Sequence, residues 1–312
     1  MSLFALIAAL LLEQLHPLSS RKLLYGWLSG YVKFFQLHFN DGQHKQGKIA
    51  WWIAVLPLLI GVMVLYWMLY HENPIFAWAL NVLVLYLTMG FRQFSHFFTD
   101  IHLALRTGKL DEARNLLSRW RGLPSHELNA EQLARISIEQ GLVASHRNVF
   151  GVIIWFTLFS ALGLGGAAGA LLYRLGQFLR THWGDASKTD SDNFGAFARQ
   201  MFYLLEWVPI RLTAMTFAIV GDFEDTVYCW RTQSANWPDS EAGILLASGA
   251  GALGVRLGMA IPNQGELDDR PELGIGDDAD ADFMQSTIGL VWRSVVFWLI
   301  LLLLMSLASL LG

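Results

Sequence analysis

Charge is scarce in this chain. Only 15% of its 312 residues are Asp, Glu, Lys or Arg, against roughly 25% in a typical soluble domain. A single cysteine, Cys229, excludes an intramolecular disulfide framework and any multi-cysteine metal site. A buried, inert thiol is its expected state. No basic block occurs and the formal charge is −4, so nothing points to a nucleic-acid partner. A Gly-x-x-x-x-Gly-Lys-Ser phosphate loop is missing as well. No serine or cysteine stands out as a nucleophile paired with a histidine.

What fills the space is apolar. Hydrophobic residues make up 54% of the chain, with 13 tryptophans and 20 phenylalanines, more than a soluble core of this length can hide. The fold class expected is all-α: a polytopic helical membrane bundle with amphipathic cytoplasmic helices, in one membrane domain spanning 1–312. Ile49–Tyr70 holds 22 residues without a charge, enough at 1.5 Å per residue for ~33 Å of hydrocarbon. Pro57 inside it predicts a kink. A turn at His71–Pro74 leads into a returning span over 75–91, with Trp51, Trp52, Trp67, Tyr70 and Trp78 near the ends, as interfacial aromatics are. Further spans are predicted at 149–173 and 294–311, the latter opened by a snorkelling Arg293. In 149–173 the pattern Gly165-x-x-x-Gly169 suits close helix packing, and a kink serves equally as an explanation. Segments 2–15, 207–221 and 242–260 read as partial or re-entrant. Met1–Leu12 lacks a basic n-region and a small-residue cleavage site, so it is not expected to be a removable signal peptide.

The turn at 71–74 carries no Lys or Arg, whereas 13–48 carries five and 92–148 eight. The positive-inside rule therefore assigns both longer stretches to the cytoplasm. Residues 92–148 read as amphipathic helices, with Asn129 and Gln132 predicted to form a capping box. Polar loops are expected at 184–193 and 262–282.

Candidate chemistry is sparse. His96 and Asp100 share a helix face, compatible with a metal pair but more simply with a surface histidine; His102 points elsewhere. Asp268, Asp269, Asp277, Asp278, Asp280 and Asp282 form an acidic stretch, compatible with solvation or with Mg²⁺ held beside nucleotide phosphates. Arg211, just after Pro209, suits a phosphate or carboxylate clamp as well as a lipid headgroup anchor. Arg256 lies between Gly254 and Gly258, which allow close backbone approach to a ligand.

Several short motifs carry a resemblance. Met1-Ser-Leu-Phe-Ala-Leu6 is followed by Leu11-Leu12-Glu13. Glu206-Trp-Val-Pro-Ile-Arg-Leu212 runs on to Phe217-Ala-Ile-Val-Gly221. Asn236-Trp-Pro-Asp239 precedes Ala250-Gly-Ala-Leu-Gly-Val-Arg-Leu-Gly258, and Gly274-Ile-Gly-Asp277 precedes the last span. Together they resemble, essentially end to end, the CobD/CbiB family of cobalamin biosynthesis and its relative AmpE, which points to a bacterial inner-membrane protein. That resemblance implies an ATP-dependent amide ligation joining adenosylcobyric acid to aminopropanol or its phosphate, with Mg²⁺ and ATP as cofactors. It implies a corrinoid substrate beside the lipid bilayer; homo-oligomerisation stays open. On it, Asp277 and Asp278 are metal ligands, Arg211 and Arg256 anion clamps, and Asp239 or Glu241 polar or metal ligands. Glu13 and Glu139 are further polar groups of the pocket.

The chain also departs from that family. Its Arg-Asp-Thr pattern falls at Leu123-Pro124-Ser125, and its Glu-Asn-Thr-Val-Asp-Gly at His146–Gly151. Its Leu-Asp-Ser falls at Leu179-Arg-Thr181, and its paired aspartates at Phe202-Tyr203. The alternative expectation is therefore an AmpE-like, non-catalytic inner-membrane modulator linked to β-lactamase induction.

Overall fold

The computed structural model describes residues 2–16, 21–41, 43–184, 193–263 and 266–311. In chain order the helices are α1 (Ser2–Leu15), α2 (Arg21–Phe39), α3 (His44–Glu72), α4 (Pro74–Thr88), α5 (Phe91–Arg106), α6 (Leu110–Arg121) and α7 (Ala130–Ser145). A π-helical turn (His146–Phe150) joins α7 to α8 (Gly151–Ala161). Then come α9 (Gly166–Leu179), α10 (Ala196–Val220), α11 (Phe223–Gln233) and α12 (Ser240–Leu253). Five short strands follow: β1 (Val255–Gly258), β2 (Ile261–Asn263), β3 (Glu266–Asp268), β4 (Glu272–Leu273) and β5 (Asp277–Asp278). Helix α13 (Ala281–Leu311) closes the chain.

This is a helical membrane protein. Among the described residues, four helical stretches are long and apolar enough to cross a bilayer: His44–Glu72, Ala130–Ala161, Ala196–Val220 and Ala281–Ala308. The chain divides into two compact units. One comprises Met1–Met89, Gly151–Pro209 and Met305–Gly312; the other comprises Gly90–Phe150 and Ile210–Leu304.

In the first unit, α3 contains the predicted 49–70 span, and Pro57 lies inside the helix. Asn73 ends α3 and caps α4, its side-chain oxygen accepting from the Ile75 amide at 2.9 Å, while Pro74 takes the first helical position. Helix α4 stops at Thr88 after 15 residues, so the expected span 75–91 reaches only ~22 Å, short of the hydrocarbon thickness. The expected span 149–173 requires a larger correction. Gly163 and Gly165 take positive φ, +72° and +84°, and turn the chain back between α8 and α9. Apolarity alone does not register that break. A Cβ at Gly169 would overlap the carbonyl of Trp155 on α8, so the glycine pattern closes this hairpin.

The second unit holds most of what was expected to be cytoplasmic. The capping box is present: Asn129 accepts from the Gln132 amide at 2.8 Å, and Gln132 accepts from the Asn129 amide at 3.0 Å. The helix it opens does not end within 92–148, however; it runs through α7 and α8 as one of the four long apolar stretches. The segment 207–221 is likewise the later part of a full-length helix, α10. The segment 242–260 is half helix, because Gly254 terminates α12 in a left-handed conformation and β1 follows. The predicted loop 262–282 holds strands. A three-stranded sheet is ordered β4-β1-β5, antiparallel on the β4 side and parallel on the β5 side, and β2 pairs with β3 antiparallel. In the loop 184–193, residues 185–192 lie outside the described residues.

Candidate functional site

The second unit gathers Glu139, Arg211, Asp239, Glu241, Arg256, Asp277 and Asp278. The motifs that carry the family resemblance build the small sheet and its supports. Val255, Leu257 and Leu273 are fully buried and anchor β1 and β4. Gly274 and Gly276 take φ of +90° and +108°. A Cβ at either would overlap a backbone carbonyl, that of Val255 for Gly274 and that of Gly254 for Gly276. Only glycine permits both the conformation and the approach. Gln233 fixes the same turn from α11, donating to the Gly274 carbonyl at 3.2 Å and accepting from its amide at 2.6 Å.

Asp239 caps α12, accepting from the amides of Glu241 and Ala242 at 3.2 and 3.3 Å. Glu241, in the first turn, is favoured there by the helix dipole. Its carboxylate, with 3% of the side chain exposed, lies 3.3 Å from Arg211 on α10, which keeps 29% exposure. Arg256 occupies the middle of a cross-strand row. Its guanidinium donates to Asp278 at 2.7 Å and lies 3.8 Å from Glu272.

Glu139 anchors the third group. Its Oε1 accepts from the Gly258 amide at 2.9 Å, and its Oε2 from Arg270 at 2.7 Å. Arg270 also donates to the carbonyls of Met259 at 3.2 Å and Gly258 at 3.1 Å, and its guanidinium lies 5.7 Å from the Trp237 ring centroid. Arg135, one turn before Glu139, donates to the Gly258 carbonyl at 3.3 Å and pairs with Glu131. Burial, then the like charge of Arg270, lowers the Arg121 guanidinium from its ordinary value, while Glu139 and Asp268 oppose the shift.

Glu13 lies in the first unit, buried on α1. His96 and Asp100 pair at 3.1 Å on an exposed face of α5. Burial and Arg106 hold the His102 imidazole below its usual range. Cys229 is buried, and burial followed by the charge of Asp225 pushes its thiol up to about 11, the inert state expected.

Chelation of one Mg²⁺ by both aspartates of a pair requires their carboxylates to converge. Asp277 and Asp278 are successive residues of one strand and project to opposite faces, and Asp278 already accepts from Arg256. Among the described residues, no three His, Cys, Asp or Glu side chains come together as a metal site. The residues present do not fit a magnesium held by this aspartate pair.

The sequence gives no role to Arg270, Arg135 or Gln233, and Trp237 enters only within the Asn236–Asp239 motif. Arg270 did carry a signal, being the only basic residue between 262 and 282. Its partner Glu139 lies 131 positions away.

A protein-family model described as CobD/Cbib protein matches residues 3–291. The chain is 36% identical over 315 aligned residues to Cobalamin biosynthesis protein CobD of Stutzerimonas stutzeri, covering 97% of this chain and 98% of that protein. It is 32% identical to the protein of the same name from Chromobacterium violaceum, over 78% of this chain and 76% of the relative. With Cobalamin biosynthesis protein CbiB of Salmonella typhimurium the identity is 27%, over 88% of each chain. No solved structure matches the chain.

Proposed function

The chain belongs to the CobD/CbiB protein family, and on that premise we propose that it works in cobalamin biosynthesis, as a multi-pass protein of the bacterial inner membrane. The step assigned to it is formation of an amide between a carboxyl of adenosylcobyric acid and the amino group of aminopropanol or its phosphate, with ATP cleaved. What supports the role in cobalamin biosynthesis is the near end-to-end similarity to the Stutzerimonas protein of that name; the amide step is what the family resemblance implies.

Exposure decides which groups meet the substrate. Arg211 and Arg256 keep 29% and 36% of their side chains accessible. On this assignment an incoming carboxylate or phosphate takes the place of Glu241 beside Arg211, or of Asp278 beside Arg256, and uses the guanidinium fork. Asp239 and Glu241 then organise the start of α12. Mg²⁺ and ATP enter as requirements of the reaction, and Asp277 and Asp278, on opposite faces of β5, do not chelate the metal as a pair.

One observation favours a second assignment, the non-catalytic modulator of the AmpE type. In the second unit, Glu139, Glu241 and Asp278 are engaged by arginines and Asp239 by a helix cap, leaving no convergent acid cluster among the described residues. Deleting the gene separates the two. Accumulation of adenosylcobyric acid, reversed by a plasmid copy, supports the ligase. Normal corrinoid amidation with altered β-lactamase induction supports the modulator and overturns the ligase.

A further inference from the structure

We propose that Glu139 and Arg270 form a latch that clamps the end of β1 and the entry to β4 onto α7, and that Glu139 is therefore not a substrate ligand. The family resemblance implied Glu139 as a polar group of the pocket; the test of the latch does not depend on the proposed function.

Both ends of the segment leaving β1 and entering β4 meet at one carboxylate. The Gly258 amide donates to Oε1 at 2.9 Å and Arg270 Nη1 donates to Oε2 at 2.7 Å. Arg270 Nη2 reaches Oε1 as well, at 3.4 Å. Both partners are largely buried, with 12% of the Arg270 side chain exposed and 5% of Glu139. The remaining guanidinium donors fork onto two successive carbonyls, Gly258 and Met259. These contacts leave little for a ligand to take, since a carboxylate accepting from two cationic N–H groups and an amide is nearly saturated.

The turn they hold would not hold itself. Gly258 has φ of +74°, and Met259, a residue with a side chain, has φ of +64°. Such a conformation persists where its surroundings over-determine it. Arg135 supplies a second donor to the Gly258 carbonyl, and the Trp237 ring packs 3.2 Å from where a Gly258 Cβ would stand. The latch thus fixes the end of β1, the strand that presents Arg256 to Asp278 and Glu272.

Hydrogen–deuterium exchange on the full-length protein in detergent tests this without any ligand. Three variants are compared: Glu139→Gln, Glu139→Ala and Arg270→Lys. Peptides covering 255–262 and 268–274 should exchange at least about tenfold faster in all three, one decade being a modest share of the loss expected for a broken buried pair. Glu139→Gln should be milder than Glu139→Ala, because its amide oxygen still accepts from Gly258. Arg270→Lys should resemble Glu139→Gln, because an ammonium cannot fork onto two carbonyls. Peptides from α9 serve as the folding control. If Glu139→Ala does not fold, the Gln and Lys variants decide. Wild-type exchange in either of those two overturns the latch. Unchanged exchange with weakened retention of adenosylcobyric acid would return Glu139 to the substrate.

Discussion

One substitution made at three glycines should give three different outcomes, because each glycine is present for a different physical reason. Gly289 lies within α13, and a Cβ there meets nothing within 4 Å. Gly289→Ala should stabilise by about 0.5–1 kcal/mol through the loss of backbone freedom in the unfolded chain. Gly163 is also in open space but has φ of +72°, so Gly163→Ala should destabilise by roughly 1–2 kcal/mol from left-handed strain alone. Gly276 combines φ of +108° with a Cβ position that overlaps the Gly254 carbonyl oxygen. Backbone strain of about 1–3 kcal/mol adds to an overpacking penalty of similar size, roughly 2–6 kcal/mol together. The assay is tryptophan-monitored denaturation in detergent with reversibility checked, because free-energy differences require a two-state transition. If Gly276→Ala lies within about 1 kcal/mol of wild type, the claim that Gly274-Ile-Gly-Asp277 is a close-packed turn fails.

The Arg211–Glu241 pair should respond asymmetrically. Arg211→Met strips the cation from a carboxylate with 3% exposure and should cost about 3–5 kcal/mol. Glu241→Gln leaves a cation with 29% access to its surroundings and should cost about 1–2 kcal/mol. A double-mutant cycle should therefore show strong coupling, and additive losses would contradict the pairing. Cys229, with its thiol pushed up to about 11, should resist maleimide at pH 8, where only about a thousandth of it is thiolate, and react fully once unfolded. Rapid labelling of the native protein would show that the thiol is not buried.

Some of this architecture was legible in the sequence for identifiable reasons. An uncharged run such as Ile49–Tyr70 has one stable outcome in a bilayer, and the Asn129–Gln132 box is a local contact between residues three apart. The run 149–173 looked equally clear but is a hairpin, because hydropathy counts apolar side chains and is blind to the positive φ at Gly163 and Gly165. The small sheet was hidden for a different reason. Its strands are two to four residues long, and the partners of β1 are short acidic pieces, Glu272-Leu273 and Asp277-Asp278, which read as loop by any periodicity. At the site, residue types were visible but partners were not. Arg256 and Asp278 were each singled out for an outside ligand, and the structure pairs them with each other. Arg270 drew no notice because its partner is remote in sequence.

Amide ligation is tested most directly by turnover of the purified protein. Detergent-purified protein receives adenosylcobyric acid, aminopropanol phosphate and Mg-ATP, and product mass is followed over time beside a working CobD/CbiB control. The expected product is heavier by the amine less one water, undiminished by Asp277→Ala and reduced by Arg211→Met. No product from the wild-type chain, with the control active, would contradict amide ligation and leave the non-catalytic assignment standing.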